Sequence, residues 1–329
     1  MKKLMLSIIL ISLFTAVRAQ RQNVYFLKNN GKEMKERDSA DFIRIIQEPD
    51  SGDVNFKLLE YYPDGKKKTI GYTSTVMPLK FEGPYISYSK SGKKVSSVNY
   101  NRGWLAGPAY YFFDSGILQK QVDYSGEPIR PAFPNQTSLP FGNEEKLVYL
   151  ADSVGNVMVK DGNGHVFLRE YKKNGEVLTE EGDYKDGLKQ GEWRMTSSSG
   201  NYWYKEQFEL GKMLHGESFK DGVGYKYTVG EKQPEYQGGM EIFYNKYLVN
   251  ELRYPNDAAN AKITGRVFLS FTIEEDGAIT GLTVDRSVHP SLDREAMRVI
   301  LKSSKWVPGL HHGIPTSMRL NIPFSFSLP

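Results

Sequence analysis

The sequence contains no cysteine among its 329 residues. A disulfide framework, a thiolate metal site and a cysteine nucleophile are therefore excluded. A chain without thiols also suits an oxidising compartment, because it has no thiol to form a wrong disulfide. Excess charge of one sign is missing too. The formal charge is +4, and removing Lys2, Lys3 and Arg18 leaves +1 for the remainder. From Pro234 to Pro329, ten basic residues are matched by ten acidic ones. Binding a polyanion requires a concentrated basic face that releases counterions, so no nucleic acid is expected as a partner. After the first twenty residues no stretch reaches the roughly 18 apolar residues of a membrane-spanning helix. Catalytic signatures are absent as well: there is no Gly-x-Ser-x-Gly elbow, no His-Glu-x-x-His and no phosphate loop. Neither an enzyme nor a cofactor is expected.

The N-terminus reads as an export signal over residues 1–19. Lys2 and Lys3 form a short positive region, Leu4 to Phe14 is an apolar run, and Val17-Arg18-Ala19 places small residues at a cleavage site. As a helix this run of 11 residues would rise only about 16 Å, against a hydrocarbon core of about 30 Å. A cleaved signal and a periplasmic mature chain are the expectation. The alternative keeps residues 4–17 as an inner-membrane anchor facing the periplasm.

Residues 20–52 contain Val24-Tyr25-Phe26-Leu27 followed by Asn30-Gly31, which reads as a hairpin. Ser39 to Gln47 carries Phe42, Ile45 and Ile46 at helical spacing and is expected to be a short helix. From 53 to 230 a pattern repeats: an aromatic pair, a turn containing glycine, a polar run, then glycine before an aromatic strand. Tyr61-Tyr62-Pro63-Asp64-Gly65, Tyr88-Ser89-Lys90-Ser91-Gly92 and Phe112-Phe113-Asp114-Ser115-Gly116 put turn glycines 27 and then 24 residues apart. Asp-Gly, Asn-Gly and Ser-Gly accept the positive φ of tight turns, and alternating aromatic and polar residues suit a half-buried strand. Such hairpins cannot bury their faces singly, so they are expected to stack into one long sheet. Seventeen of the 21 tyrosines precede Gly230, enough to fill that sheet with aromatic ladders. Pro128, Pro131, Pro134 and Pro140 cannot keep a ladder, so a loop over about 126–145 is expected to split the repeats. The run Gly182-Asp183-Tyr184-Lys185-Asp186-Gly187-Leu188-Lys189-Gln190-Gly191-Glu192-Trp193 resembles MORN-type repeats, which implies a scaffold.

A Gly- and Pro-containing linker at 231–239 leads into a change of pattern over 240–329. Met240 to Leu252 reads as a helix, stopped by Tyr254-Pro255 because the residue before proline is pushed out of the α region. Val267, Leu269, Phe271 and Ile273 alternate with polar residues, and Glu275-Asp276-Gly277 turns the chain into a second strand, Ile279 to Val284. Pro290 to Lys305 is expected to be a helix with Leu292, Ala296, Val299 and Ile300 on one face. Met318, Leu320, Ile322, Phe324, Phe326 and Leu328 alternate again, giving a long final strand with one apolar face.

Several short motifs carry a resemblance over Pro234 to Pro329. They are Gly238-Gly239, Tyr254-Pro255, Gly265-Arg266-Val267, Asp276-Gly277, His289-Pro290-Ser291-Leu292-Asp293-Arg294-Glu295-Ala296, Trp306-Val307-Pro308-Gly309, Gly313 and Ile322-Pro323-Phe324. In that order they resemble the C-terminal domain of TonB energy transducers. The fold expected is thus an α+β C-terminal domain, a three-stranded antiparallel sheet with helices, after an all-β MORN-like hairpin-repeat domain. The resemblance implies binding of an extended peptide, the TonB box, by strand addition, with main-chain bonds giving affinity and side chains giving choice. The implied partner is an outer-membrane TonB-dependent transporter or another envelope protein. The implied contacts are Glu251, Arg253, Tyr254 and Pro255 before the first strand, and Ser317, Arg319 and Asn321 on the last. Tyr254-Pro255 reads equally as a recognition element or as a helix stop with a packed tyrosine. Strand exchange at the same edge offers a route to a homodimer. The role follows as a periplasmic adaptor in outer-membrane transport or, if the anchor is kept, as a full transducer of proton motive force. His311-His312 is read as no metal site, since neighbours in an extended segment point apart and no third ligand is near in sequence.

Overall fold

Between residues 21 and 227, glycine-punctuated alternation gives almost pure antiparallel sheet among the described residues. A computed structural model describes residues 21–29, 31–126, 145–303 and 306–328. The expected export signal, all but the ends of the expected loop at 126–145, and the end of the expected helix at Lys305 lie outside the described residues. The chain divides into two compact units, Met1–Gly103 and Trp104–Pro329.

In the first unit the expected hairpin is present: Gln22–Leu27 pairs with Glu33–Met34 and also with Phe42–Gln47. From there Phe56–Tyr61, Lys67–Thr73, Gly83–Tyr88 and Lys94–Asn101 each pair antiparallel with the strand before. The short helix expected over Ser39 to Gln47 is not formed. A single 3-10 turn covers Arg37–Ser39, and Phe42–Gln47 is a strand flanked on both sides. The spacing misled for a physical reason. Phe42 and Ile46 are an even number of residues apart, so they share a face in a strand as well as in a helix. Because Phe42 and Ile43 are both buried, the alternation that would mark a strand is hidden, while the β-branched isoleucines favour one.

Glu60 is almost fully buried on Phe56–Tyr61. Its Oε1 accepts from Arg44 at 2.6 Å and its Oε2 from Lys68 at 2.8 Å. Burial alone would raise this carboxyl, but Lys68 and Arg44 outweigh it and hold the group below its ordinary range. A buried charge is tolerated when paired on every side like this.

In the second unit each strand from Leu118–Ser125 through Val223–Tyr227 pairs antiparallel with the strand before it, the first of them with Trp104–Phe112. Val122, Leu147, Val159, Val166 and Trp193 form a core cluster along it. The repeat motif has a packing cause. A Cβ at Gly182 would sit inside the indole of Trp193 on the next strand, and that indole donates from Nε1 to the Asp183 carbonyl at 3.1 Å. Glycine is therefore the residue over which the aromatic ring can lie flat against the sheet.

The segment after the repeats is pinned by two bridges, Lys232 to Leu310 and Glu235 to Val307. A helix at 240–251 follows, α-helical at both ends with a π-helical stretch at Phe243–Leu248 between. After Tyr254-Pro255 comes a short helix, Asn256–Asn260. The three-stranded sheet has the order Ile279–Arg286, Gly265–Ile273, Met318–Phe326, all antiparallel. The helix Pro290–Lys302 starts on Pro290 at N1, and the His289 ring accepts the Ser291 N–H. Leu292, Ala296, Val299 and Ile300 are all fully buried, together with Val267, Leu269, Phe271 and Ile273 of the central strand. The hairpin Gly309–His311 and Ile314–Thr316 completes the domain.

Candidate functional site

The sheet places Met318–Phe326 at one edge. Among the described residues this strand pairs only with Gly265–Ile273, in the register Arg319 to Thr272, Asn321 to Ser270 and Pro323 to Phe268. Along an antiparallel strand, successive residues turn their N–H and C=O alternately to the two sides. Pro323 has no N–H, and proline is tolerated in a ladder where that position turns outward. Arg319, Asn321 and Ser325 share its parity, so their backbone groups face the open side. Leu320, Ile322, Phe324 and Phe326 are buried in the core, which fixes the register against slippage.

The side chains on this strand are occupied within the domain. Arg319 donates from Nη2 to Thr283 Oγ1 at 2.8 Å. Asn321 donates from Nδ2 to Ser270 Oγ at 3.1 Å and to Asp285 Oδ2 at 2.9 Å. Ser270 also donates to Asp285, closing a polar network across all three strands. Ser317 donates to Glu274 Oε2 at 2.6 Å, and this bond with Thr280 lowers the Glu274 carboxyl. Sequence reasoning named Arg319 and Asn321 but missed Ser270, Thr283 and Asp285. Their signal was a polar residue at each exposed-face position of neighbouring strands.

The second group surrounds the end of the 240–251 helix. Glu251 accepts from Lys302 Nζ at 2.7 Å through its side chain and from Arg298 Nη2 at 2.6 Å through its carbonyl. The bond from Lys302, with Arg298 nearby, holds the Glu251 carboxyl low. The backbone N–H of Arg253 donates to Glu295 Oε1 at 2.7 Å. Burial alone would raise Glu295, but Arg298 outweighs it and lowers it. Tyr254 donates its hydroxyl to the Ile263 carbonyl at 2.6 Å and packs edge-on against Phe326, ring centroids 5.7 Å apart. Pro255 immediately precedes the short helix at Asn256–Asn260 and has an extended backbone. Tyr254 therefore meets the far end of the last strand, while Glu251 and Arg253 belong to a charged cluster on the helix Pro290–Lys302. Ser317, Arg319 and Asn321 sit on the sheet face instead.

The reading of His311-His312 as diverging neighbours does not hold. His312 has φ +49°, and the two ring centroids are 4.4 Å apart. Glu231 lies beside them, 80 residues away in sequence, accepting from His311 Nδ1 at 2.9 Å.

Residues 250–328 match the sequence model of the family described as Gram-negative bacterial TonB protein C-terminal. That family is transport-related and non-enzymatic, and it belongs to the bacterial envelope. No curated protein matches the chain. No helix among the described residues is long and apolar enough to cross a membrane.

Proposed function

We propose that the protein is a periplasmic component of outer-membrane transport whose C-terminal domain takes an extended peptide as a fourth strand. The guest is a segment of TonB-box type from a transporter, or an equivalent segment of another envelope partner. One observation carries the reading: the last strand has a buried side-chain register on one face and, among the described residues, no partner strand on its outer side. An exposed edge of this kind has to be used or blocked. Arg319 and Asn321 each offer an outward N–H and C=O, and Pro323 offers a carbonyl only. Strand addition is therefore expected to run along 319–321 and to weaken at 323. Choice of guest follows from the polar face and from the charged cluster at Glu251 and Arg253. The MORN-like hairpin sheet displays the domain.

Asn321→Pro tests this, because it deletes an outward donor and keeps the core register. Loss of one main-chain bond of about 1 kcal/mol lowers capture roughly fivefold. Asn321→Ala keeps the backbone donor and serves as the control for the lost side-chain bonds. Crosslinking capture from envelopes is expected to fall for the proline variant alone, with both variants shown folded by circular dichroism. Equal capture by wild type and Asn321→Pro contradicts edge recognition.

A further inference from the structure

The hairpin Gly309–Thr316 meets the last repeat strands through a cluster that the peptide edge does not use. His312 stands at its turn with a left-handed backbone. Its carbonyl accepts from Ser218 Oγ at 2.8 Å, and its ring stacks on Tyr204 with centroids 3.7 Å apart and planes 11° off parallel. His312 Nδ1 lies 2.8 Å from Oε1 of Glu206, which is 5% exposed and also accepts from Tyr227 at 2.9 Å. A carboxylate only accepts, so Nδ1 carries the proton and the lone pair sits on Nε2. A stacked ring with its tautomer fixed by a buried carboxylate is the arrangement that orients a metal-ligating histidine. His311 is turned to the same side, and Glu231 accepts from its Nδ1 at 2.9 Å and from the His312 N–H at 3.2 Å. The ligand-capable atoms of Glu231, His311 and His312 all lie within 4.8 Å of one another.

We propose that Glu231, His311 and His312 form a zinc(II) site, with Glu206 holding His312 in the ligating tautomer. Two imidazoles and one carboxylate select a borderline transition ion over calcium or magnesium, which prefer oxygen donors alone. Three protein ligands leave a fourth position for water or a donor from outside. Bonds of about 2.1 Å in a tetrahedron put neighbouring ligand atoms roughly 3.4 Å apart. All three ligand-capable atoms lie within 4.8 Å of one another, and rotation of the exposed side chains of Glu231 and His311 brings them to that edge. Access is open, because His311 also lines a cavity of 940 Å³ with Tyr202, Lys220 and Asp221. Glu231 follows the repeat strands directly, whereas His311 and His312 belong to the C-terminal hairpin. Bound zinc would therefore staple the end of the hairpin sheet to the C-terminal domain.

The test is calorimetric titration of the full, tag-free chain with Zn²⁺ alone. One saturable site is expected, and zinc raises the melting temperature because it binds only the folded chain. Glu231→Gln and His311→Ala, both at exposed positions, are each expected to weaken binding at least about tenfold, with each zinc-free variant shown folded by circular dichroism. Glu206→Gln weakens it about 10- to 100-fold although all three ligands remain. His165, which lies near Asp183 and Glu181, is the rival location, and His165→Ala is expected to leave binding intact. The proposal is overturned by absence of saturable binding to the wild-type chain. It is equally overturned by unchanged binding in the Glu231→Gln/His311→Ala double variant, or by loss of binding in His165→Ala.

Discussion

Phe243→Ala is expected to destabilise the second unit by about 3–5 kcal/mol, the range for deleting a fully buried aromatic side chain. Phe243 has no exposed surface, and its ring is ringed by Trp306 at 5.1 Å, Tyr244 at 5.3 Å, Tyr236 at 5.4 Å and Tyr247 at 5.7 Å between centroids. Two of those neighbours are anchored elsewhere. Tyr247 donates to the Val299 carbonyl at 2.8 Å, and Trp306 donates from Nε1 to Ser303 at 3.0 Å. With these two held, the rings close only partly into the space, so a cavity remains and the range applies. At roughly 2–4 °C per kcal/mol for a unit of this size, the melting temperature falls on the order of 10 °C. A loss below about 1 kcal/mol would mean that the cluster relaxes around the gap, contrary to this packing.

Gly277→Ala is expected to cost about 3 kcal/mol or more, although only one methyl group is added. Gly277 has φ +80°, where a side chain costs roughly 1–2 kcal/mol by itself. Space makes the cost larger. A Cβ there would overlap the carbonyl oxygen of Trp306, and the Trp306 N–H donates to the Gly277 carbonyl at 3.0 Å. Neither backbone can give way without breaking that bond. Gly175 provides the comparison, with φ +85° and nothing within 4 Å of its Cβ position. Gly175→Ala is expected to show the conformational cost alone. Equal melting shifts for the two variants would remove the Trp306 overlap as the cause.

These two sites also mark what the sequence could reveal. Asp276-Gly277 and Trp306-Val307-Pro308-Gly309 were recognisable as separate motifs, but nothing in a linear reading places one against the other. Period-two alternation identified Gly265–Ile273 and Met318–Phe326, since a slip of one residue would turn Val267, Leu269, Ile322 and Phe324 into solvent. The helix at Pro290–Lys302 was equally legible from its apolar stripe and its proline at N1. Phe42–Gln47 was misread because both of its faces are covered, which erases the alternation. Glu60 gave no hint of burial, since its two cationic partners come from neighbouring strands. The side-chain directions of the histidine pair were misread because a left-handed residue other than glycine turns its side chain toward its neighbour's. The third member of the cluster comes from a remote segment. Of the expected contact residues, the backbone edge was legible from the family resemblance. The intramolecular partners of Arg319, Asn321 and Glu251 follow from the folded chain alone.

Residue-resolved hydrogen exchange on the dilute, peptide-free chain asks most directly whether the outer border of Met318–Phe326 is available. Amides of Arg319 and Asn321 are expected to exchange on the order of 100-fold faster than those of Leu320 and Ile322, which bond to the central strand. Uniform slow exchange across all four would mean that the border is already satisfied, and the docking role would have to be abandoned.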